Sequence, residues 1–428
     1  MNIRHGAQAL FLSRRLPQGG RPGLLAVCRA TALGRTLAGV MAGVLAVALT
    51  VGMAGCGGGV GSGGTGSFVS GPVAGLGSVI VNGVRFDDSS AVVEDADGQR
   101  RNRDELRLGM TVEIDSSAIS AGVAGATAVA TRVRYEPEIV GPVTAVDAAA
   151  AAFTVLGQRV TVDAATVFDD ALAGGLAALT SGRSVAVHGA WDAAAERYRA
   201  TRVEAAAALA PLRLRGLLSA VDGAALTVRI GASRYSYAGA AGVPAGLAAG
   251  QVVRLRLVPA ATPAVWVVQS FGEGQRTLPD ANEARLKGLI TGLVPATGGA
   301  ALTALRVNGQ TVDLGAAQVP DGRAALVLGA RVEVQGQVQG GQLRATLITV
   351  RSDRQEEESG FEINGVILAV NRAAGTLQVR GVTISTARSE LRIDDGVLAD
   401  LQVGRFVEVR GVLGSDRRTV EALRIRLR

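Results

Sequence analysis

Few side chains in this sequence could bind a metal ion or act as a nucleophile. After residue 55 the chain has one histidine, His188, and one cysteine, Cys56. Zinc and copper sites made of imidazole and thiolate need several such ligands close together, and a serine or cysteine nucleophile needs a neighbouring base. We therefore predict that the protein is not an enzyme and holds no metal ion or cofactor, and that His188 lies on the surface.

Acidic side chains are the other candidates for chemistry. The pairs Asp169-Asp170 and Asp394-Asp395 stand at the start of predicted helices, where a carboxylate caps free amide groups, and neither has the ligand count of a calcium loop. A carboxylate pair for glycoside hydrolysis stays open, because a sequence does not give the distance between two acids. The charged run 351–359 is predicted to be a solvated spacer.

Aromatic rings and arginines are the candidate ligand contacts. A ring can stack on a ligand, and an arginine can pair with a carboxylate or phosphate. The candidate residues are Trp191, Tyr198, Tyr235, Tyr237, Trp266, Arg424, Arg426 and Arg428. The rings do not recur at equivalent places along the chain, so a shared sugar-binding groove is our second hypothesis and not our first.

The amino terminus reads as an export signal. Residues 1–55 contain six arginines and no Asp, Glu or Lys, and residues 37–54 form an apolar run that ends just before Cys56. These are the parts of a secretory signal, and the cysteine after small residues resembles the lipobox of bacterial lipoproteins. We predict a signal peptide at 1–55 and lipidation of Cys56. The competing interpretation is a retained transmembrane anchor, for which eighteen apolar residues are barely long enough.

Charge and cysteine content change once this segment is set aside. The whole chain carries +7, and subtracting the six arginines of residues 1–55 leaves +1 for residues 56–428. Binding to single-stranded nucleic acid needs a basic groove with aromatic platforms, so we predict no nucleic-acid partner. A single cysteine cannot form a disulfide within the mature chain, so stability must come from apolar burial.

Two short motifs recur along the chain. A tetrapeptide of the type Ala-Thr-Arg-Val begins at Ala130, Ala200, Ala345 and Ala422, with a degenerate copy at Ala264. A Gly-x-x-Val-type run begins upstream of each, at Gly109, Gly182, Gly250, Gly329 and Gly404. Repetition at a fixed period predicts a repeat architecture.

Each repeat shows strand and hairpin signals. Asn82-Gly83 and Asn308-Gly309 each separate two apolar runs, and Asn-Gly is a strong hairpin signal because both residues tolerate positive φ. Leucines at helical spacing predict short helices at 166–178 and 393–401. Apolar and charged residues alternate in the last strand. The alternation predicts that Leu423, Ile425 and Leu427 lie on one buried face.

This order of elements is typical of the OB fold, a small five-stranded barrel. We predict an all-β protein with short helices, built as five tandem OB-like five-stranded β-barrels after a disordered lipoprotein signal and a Gly-rich tether. The predicted segments are the signal 1–55, the tether 56–71, and barrel repeats at 72–137, 138–208, 209–273 (degenerate), 284–353 and 360–428. Units of this size are marginal alone, so neighbouring barrels are expected to pack into a rod-like array.

The region after the tether resembles a bacterial family of uncharacterised repeats, the domain of unknown function 5666 family. The residues that carry the resemblance are 77–86, 134–137 and 141–147. The resemblance implies a lipobox, a glycine-rich tether and tandem β-rich units. It implies no catalytic residues, because the family has no assigned activity.

These observations lead to two hypotheses on function. The first is a non-enzymatic cell-envelope lipoprotein whose barrel array serves as a structural or protein-interaction scaffold. The alternative is a binding module for an envelope oligosaccharide or anionic glycan, because small barrels of this kind hold oligosaccharides. Both predict membrane attachment through the N-terminal lipid, on the outer membrane, with the partner, the oligomeric state and the side of the membrane left open.

Overall fold

Strands dominate the structure, a computed structural model that describes residues 66–428 except 124, 209, 263–264, 300 and 358. Within those residues there are thirty β-strands, five short 3-10 turns and one α-helix. None of the helices in this part of the chain is long and apolar enough to cross a membrane. The all-β prediction is confirmed, while the predicted signal peptide, Cys56 and most of the tether lie outside the described residues.

The first barrel is closed by five strands. Its strands are β1 (Ser67–Leu76), β2 (Val79–Val81), β3 (Val84–Asp87), β4 (Val92–Asp95), β5 (Arg100–Arg101), β6 (Thr111–Ser116), β7 (Ser120–Gly122) and β8 (Gly125–Tyr135). β1 pairs antiparallel with β2 and β6, β2 with β3, and β6 with β8, whereas β3 and β8 are parallel. The circuit β1-β2-β3-β8-β6-β1 has no free edge and is the predicted OB-like arrangement.

The same circuit of pairings recurs in four further segments. Barrel 2 has β9 (Ile139–Asp147), β10 (Ala152–Val155), β11 (Gln158–Thr161), β12 (Val167–Phe168), β13 (Ser184–Asp192) and β14 (Arg197–Ala205). Barrel 3 has β15 (Leu212–Asp222), β16 (Thr227–Ile230), β17 (Ser233–Ser236), β18 (Val252–Pro259) and β19 (Trp266–Gly272). Barrel 4 has β20 (Ala281–Pro295), β21 (Leu302–Val307), β22 (Gln310–Asp313), β23 (Arg331–Gln339) and β24 (Gln342–Arg351). Barrel 5 has β25 (Phe361–Asn371), β26 (Thr376–Val379), β27 (Val382–Ser385), β28 (Arg392–Asp394), β29 (Phe406–Leu413) and β30 (Val420–Leu427).

In each of these barrels the ring is closed by a parallel pairing between the third strand of the circuit and the last strand along the chain. The parallel pairs are β11–β14, β17–β19, β22–β24 and β27–β30. The prediction of small closed five-stranded barrels is therefore confirmed.

The predicted Asn-Gly hairpins have the expected backbone. Asn82 and Gly83 have φ of +49° and +73°, and Asn308 and Gly309 have +49° and +84°. Positive φ at both central residues defines the type I′ turn, whose twist matches that of the flanking strands.

The recurring glycine upstream of each fourth strand makes the same turn in every barrel. Its φ lies between +77° and +92°, in the left-handed region that favours glycine. Its N–H donates to a carbonyl of the first strand at 2.8–2.9 Å. The five donor–acceptor pairs are Gly109 to Val73, Gly182 to Val143, Gly250 to Leu218, Gly329 to Ile290, and Gly404 to Ile367. The motif is therefore a barrel-closing turn.

The recurring tetrapeptide is a β-bulge between the last two strands of the circuit. Its first and fourth residues point into the core, and its second residue has no partner on the facing strand. The bulged residues are Thr131, Thr201, Gln269, Thr346 and Leu423. Two of the bulged threonines donate their hydroxyl to the opposite strand, at 2.9 Å for Thr131 and 3.1 Å for Thr346.

The position of the bulge shows that two predictions from the sequence are wrong. Leu423 was predicted on the buried face, but it is 38% exposed because the bulge turns it outward and places Ala422 inside. In barrel 3 the equivalent of the tetrapeptide is Val268 to Phe271, and not the degenerate copy at 264–267, because the bulge lies at Gln269.

The two predicted helices are wrong. Segment 166–178 begins as strand β12 and continues as 3-10 turns at Asp170–Leu172 and Gly175–Ala178, separated by glycines with φ of +129° and +57°. Segment 393–401 has strand β28 and a 3-10 turn at Leu398–Asp400. In and directly after the first segment Leu172 and Leu179 are buried, whereas in the second Leu401 is buried and Leu398 is 52% exposed. The predicted cap is present in the first segment, where Asp169 accepts from the Ala171 N–H at 2.8 Å.

The barrels are joined in an order that differs from their order along the chain. β1 runs parallel to β20 of barrel 4 and to β25 of barrel 5, and β9 pairs with β15 of barrel 3. Barrels 1 and 5 share one buried apolar cluster, barrels 2 and 3 share a second, and barrel 4 holds a third together with Phe68. The expected rod-like array is wrong, because barrel 1 packs against barrels that are distant in sequence.

Candidate functional site

A cavity of about 370 Å³ lined by several charged side chains lies at the meeting point of barrels 1, 3 and 4. On the barrel 3 side its charges come from β15 and β18. Leu214 and Leu255 point into the barrel, so the arginines that alternate with them point outward. Two cross-strand arginine pairs result, Arg213–Arg256 and Arg215–Arg254.

Like charges placed opposite each other on a sheet repel, and here barrel 1 and the segment after it supply the counter-charges. Asp97 pairs with Arg213 and also with Arg256, the latter at 2.8 Å. Glu136 pairs with Arg254. Acids from one barrel therefore neutralise an arginine face on another.

Glu138 and two backbone carbonyls complete this contact. Glu138 Oε1 lies 3.1 Å from Arg215 Nη1. Arg254 donates to the Ala96 carbonyl at 3.0 Å and Arg215 to the Gly274 carbonyl at 2.8 Å. Each of these two guanidinium groups therefore joins separate segments of the chain, as its planar set of donors allows.

The acids of this cavity differ in their environment. Burial raises the pKa of Glu136 to about 7, with a further contribution from Glu138, although Arg254 and Arg215 act in the opposite direction. One of its carboxylate oxygens, Oε1, is buried without a hydrogen-bond partner. The pKa of Glu136 therefore lies near neutral pH.

We expect Glu136→Gln to increase stability at alkaline pH. The raised pKa means that the folded state favours protonated Glu136, so this contribution to stability is present below pH 4.5 and is lost as the pH rises through 7. Glutamine keeps the neutral form at every pH. The free energy of unfolding of the variant relative to wild type should therefore rise by about 2–3 kcal/mol between pH 4.5 and pH 8, measured by chemical denaturation.

The control for this experiment is Asp147→Asn, which removes a solvent-exposed ion pair with Arg159 on barrel 2. This substitution should change the free energy of unfolding only slightly at both pH values. Equal stability differences for Glu136→Gln at pH 4.5 and pH 8 would contradict the assignment of a proton to Glu136 in the folded state.

Comparison with known families gives three matches in this chain. The model described as Domain of unknown function (DUF5666) matches residues 140–204, 287–349 and 364–426. The predicted resemblance to the DUF5666 repeat family is confirmed by these three matches. Each match begins in the first strand and ends in the last strand of a barrel, so one family unit corresponds to one closed barrel. The comparison with curated proteins found no match.

The three barrels that match the family share a glycine opposite the bulge. A Cβ atom at Gly189, Gly336 or Gly411 would lie 2.0–2.4 Å from a carbonyl oxygen of the facing strand. Barrels 1 and 3 carry Ser116 and Leu257 at this position. The DUF5666 repeats are thus distinguished from the other two barrels by a close backbone approach at the bulge.

The predicted aromatic ligand contacts join barrels 2 and 3 instead of lining a groove. Tyr198 and Tyr235 are at most 1% exposed. The Tyr198 hydroxyl donates to the Arg215 carbonyl at 2.7 Å, and the Tyr235 hydroxyl donates to the Leu156 carbonyl at 2.6 Å. Because both bonds cross between the barrels, a ligand on the outer surface would not reach these two rings.

The other three rings are also packed against the protein. Trp191 meets the Tyr198 ring edge to face at a centroid distance of 4.9 Å. Tyr237 is 8% exposed and meets Phe271 in the same way at 6.0 Å, and Trp266 is half-buried against the cluster of barrels 2 and 3. The five rings therefore do not share an exposed groove.

The three arginines predicted as a basic stripe are paired with acids of barrel 5. Arg424 pairs with Asp394, Arg426 with Asp395 at 3.7 Å, and Arg428 with Glu408 at 2.9 Å. Pairing leaves this strand without the excess positive charge that an anionic glycan would require. It also shows that Asp394 binds arginine instead of capping a helix.

His188 was predicted on the surface, but it is 1% exposed. Its cross-strand partner is Arg202, whose guanidinium donates to the Leu108 carbonyl of barrel 1 at 3.2 Å, so barrel 1 covers this face. Burial acts to raise the pKa of the adjacent Glu204, but hydrogen bonding to His188 and the charge of Arg202 lower it to about 2. The group is a buried contact between barrels 1 and 2.

The charged linker is also a contact and not the predicted solvated spacer. It contains the α-helix α1 (Asp353–Glu357). Asp353 lies 2.5 Å from Arg199 of barrel 2, and Glu356 lies 2.8 Å from Lys287 of barrel 4. The helix thus bridges two barrels.

Within the described residues, no three His, Cys, Asp or Glu side chains are arranged to hold a metal ion. The arginine alternation in β15 and β18 was visible in the sequence, but the acids that face it come from a different barrel and were missed. The site holds barrels together through partly buried ion pairs and hydrogen bonds from guanidinium groups to backbone carbonyls.

Proposed function

We propose that the protein is a non-enzymatic, lipid-anchored protein of the cell envelope whose barrels act as a structural or protein-interaction scaffold. The observation that carries this proposal is where the recurring residues lie. The repeated glycine makes a barrel-closing turn and the repeated tetrapeptide makes a bulge. The residues that recur are therefore those that build the barrel, as expected for a scaffold of repeated units.

We also propose that all five barrels are diverged copies of the DUF5666 unit. The family matches cover barrels 2, 4 and 5. In support, barrels 1 and 3 have the same circuit of strands, the same glycine hydrogen bond and a bulge at the same place.

The glycan-binding alternative has less support. Repeated ligand sites would need the same surface side chains on several barrels, but the residues that recur at equivalent places in the described barrels are those of the turn and the bulge. The arginines Arg215 and Arg254 of the charged cavity are already paired with Glu138 and Glu136. The candidate rings are packed against the buried apolar cluster of barrels 2 and 3.

Crosslinking of the full chain in intact cell envelopes tests the scaffold proposal. We expect mass spectrometry to identify protein partners whose crosslinks map to the outer surfaces of the barrels. Cell-wall glycan pelleted with the purified chain should retain no more of it than of an unrelated lipoprotein. Retention on glycan with no protein crosslink would refute the scaffold and favour the alternative.

A further inference from the structure

The two Asn-Gly turns of barrels 1 and 4 place their asparagines alike. In each, the side-chain amide lies against a glycine of the first strand. A Cβ atom at Gly71 would lie 2.4 Å from Asn82 Oδ1, and a Cβ atom at Gly288 would lie 2.4 Å from Asn308 Nδ2. Differences between the two asparagines therefore come from the residues around them.

Barrel 4 holds both the side-chain amide and the backbone nitrogen that follows it. The Leu289 N–H donates to Asn308 Oδ1 at 3.0 Å. The Gly309 N–H donates to the Thr291 hydroxyl at 2.9 Å. Gly309 is also buried, and a Cβ atom there would lie 2.4 Å from Val252 of barrel 3. This asparagine is therefore fixed on both sides.

In barrel 1 the side-chain oxygen has no partner. The first-strand residue before the one that accepts from the repeated glycine is Leu289 in barrel 4 and Pro72 in barrel 1. Proline has no N–H to donate, and Asn82 Oδ1 is accordingly buried without a hydrogen-bond partner. The Asn82 Nδ2 donates to the carbonyls of Ser70 at 2.8 Å and of Arg285 in barrel 4 at 3.4 Å.

The backbone nitrogen after Asn82 lacks the hydroxyl acceptor that barrel 4 provides. The first-strand residue inserted at the bulge is Thr291 in barrel 4 and Ala74 in barrel 1. Alanine cannot accept from the Gly83 N–H as the threonine accepts from Gly309. Gly83 is exposed, and a Cβ atom there would meet no atom within 4 Å. Solvent therefore reaches Gly83, whereas Gly309 is covered.

We propose that Asn82 deamidates spontaneously, that Asn308 is protected, and that the change at Asn82 loosens the contact between barrels 1 and 4. Asparagine is a chemically labile residue, and a following glycine has no side chain to hinder attack. The Gly83 nitrogen bonds to Asn82 Cγ, and the bond from Cγ to Nδ2 breaks. The Gly83 proton leaves with Nδ2 as ammonia. Water then opens the succinimide ring to aspartate or isoaspartate.

The product no longer fits the junction of barrels 1 and 4. There β1 runs parallel to β20, with Ser70 opposite Leu286. A carboxylate accepts hydrogen bonds and donates none, so at position 82 it would face the Ser70 and Arg285 carbonyls without a proton to share. Isoaspartate would also lengthen the backbone of a two-residue turn whose geometry sets the strand register.

The test follows both asparagines in the full chain, purified in detergent and kept in alkaline buffer. Peptide mass spectrometry should show that Asn82 is lost about tenfold faster than Asn308. A tenfold difference corresponds to about 1.4 kcal/mol in activation free energy, the order that one or two hydrogen bonds supply. Equal rates, or faster loss of Asn308, would overturn the proposal.

Substitutions of the bulged residue test its cause. Ala74→Thr supplies the missing hydroxyl and should slow the loss of Asn82 by about fivefold, the factor of one ordinary hydrogen bond. The matched control is Ala74→Val, which has the same shape without the hydroxyl and should leave the rate unchanged. Thr291→Val should accelerate the loss of Asn308 and leave Asn82 as it was. Equal slowing by Ala74→Thr and Ala74→Val would contradict the proposed cause, as would an unchanged Asn308 in Thr291→Val.

Hydrogen exchange of residues 67–70 measures the effect on the junction. We expect Asn82→Asp to raise their exchange rates by about fivefold or more, because the donor to two carbonyls is lost. The control is Asn371→Asp in an exposed turn of barrel 5, where Oδ1 accepts from the Ala374 N–H and a carboxylate can do the same. Exchange that is as slow in Asn82→Asp as in this control would show that deamidation leaves the junction intact. None of these outcomes bears on crosslinks to other proteins, so the scaffold proposal is tested separately.

Discussion

Replacing Gly336 by alanine should unfold barrel 4 locally. The new Cβ would lie 2.0 Å from the Arg344 carbonyl oxygen and 3.0 Å from the Ala345 Cα, both on β24. Backbone atoms cannot move aside without breaking the pairing of β23 with β24. Overpacking lowers the free energy of unfolding by up to about 3 kcal/mol where side chains can shift. Here we expect the free energy of unfolding of barrel 4 to fall by about 3 kcal/mol or more. Hydrogen exchange of β23 and β24 measures it directly.

The matched control for Gly336→Ala is Gly223→Ala. Gly223 lies in an exposed turn of barrel 3, and a Cβ there would meet no atom within 4 Å. Its substitution should leave exchange unchanged or slightly slower, because alanine restricts the unfolded chain. Unchanged protection of β23 and β24 in Gly336→Ala would show that the bulge tolerates a side chain, as barrels 1 and 3 do with Ser116 and Leu257.

The individual barrel was predictable from sequence because its signals are local. Asn82-Gly83 sets a turn through φ alone, and the repeated glycine does the same before each fourth strand. These preferences act over a few residues and do not depend on what surrounds them. The error at Leu423 has the same origin, because strict alternation does not reveal an inserted bulge residue.

The contacts between barrels were not predictable in this way. The alternation of leucine and arginine in β15 shows that Arg213 and Arg215 point outward, but not that Asp97 and Glu138 meet them. His188 is the clearest case. A lone polar residue on a strand reads as exposed, and only the docking of barrel 1 on barrel 2 buries it.

The arginine content therefore has a structural explanation. Arginines 213, 254 and 256 tie barrel 3 to barrel 1 and the segment directly after it. Arg215 ties barrel 3 to Glu138, next to barrel 2, and Arg202 ties barrel 2 to barrel 1. Exposed ion pairs contribute little, but partly buried guanidinium groups that also bond to backbone carbonyls fix the orientation of two surfaces. Specific charge contacts between barrels, and not a basic surface for a polyanion, account for these residues.

Replacing Cys56 by alanine should remove the lipid anchor of the protein. The apolar run of residues 37–54 ends at small residues before Cys56, the pattern that predicts acylation there. Stable attachment needs more than one acyl chain, since a single chain binds membranes only reversibly. Metabolic labelling with an alkyne fatty acid should give a signal for wild type and only background for Cys56→Ala, with the protein released or retained as the longer precursor. Cys28→Ala, the other cysteine substitution, should keep full labelling because residue 28 lies in the predicted signal. Acyl label persisting in Cys56→Ala would exclude this site, and membrane retention of an unlabelled Cys56→Ala protein at the precursor length would be expected for the apolar segment acting as the anchor.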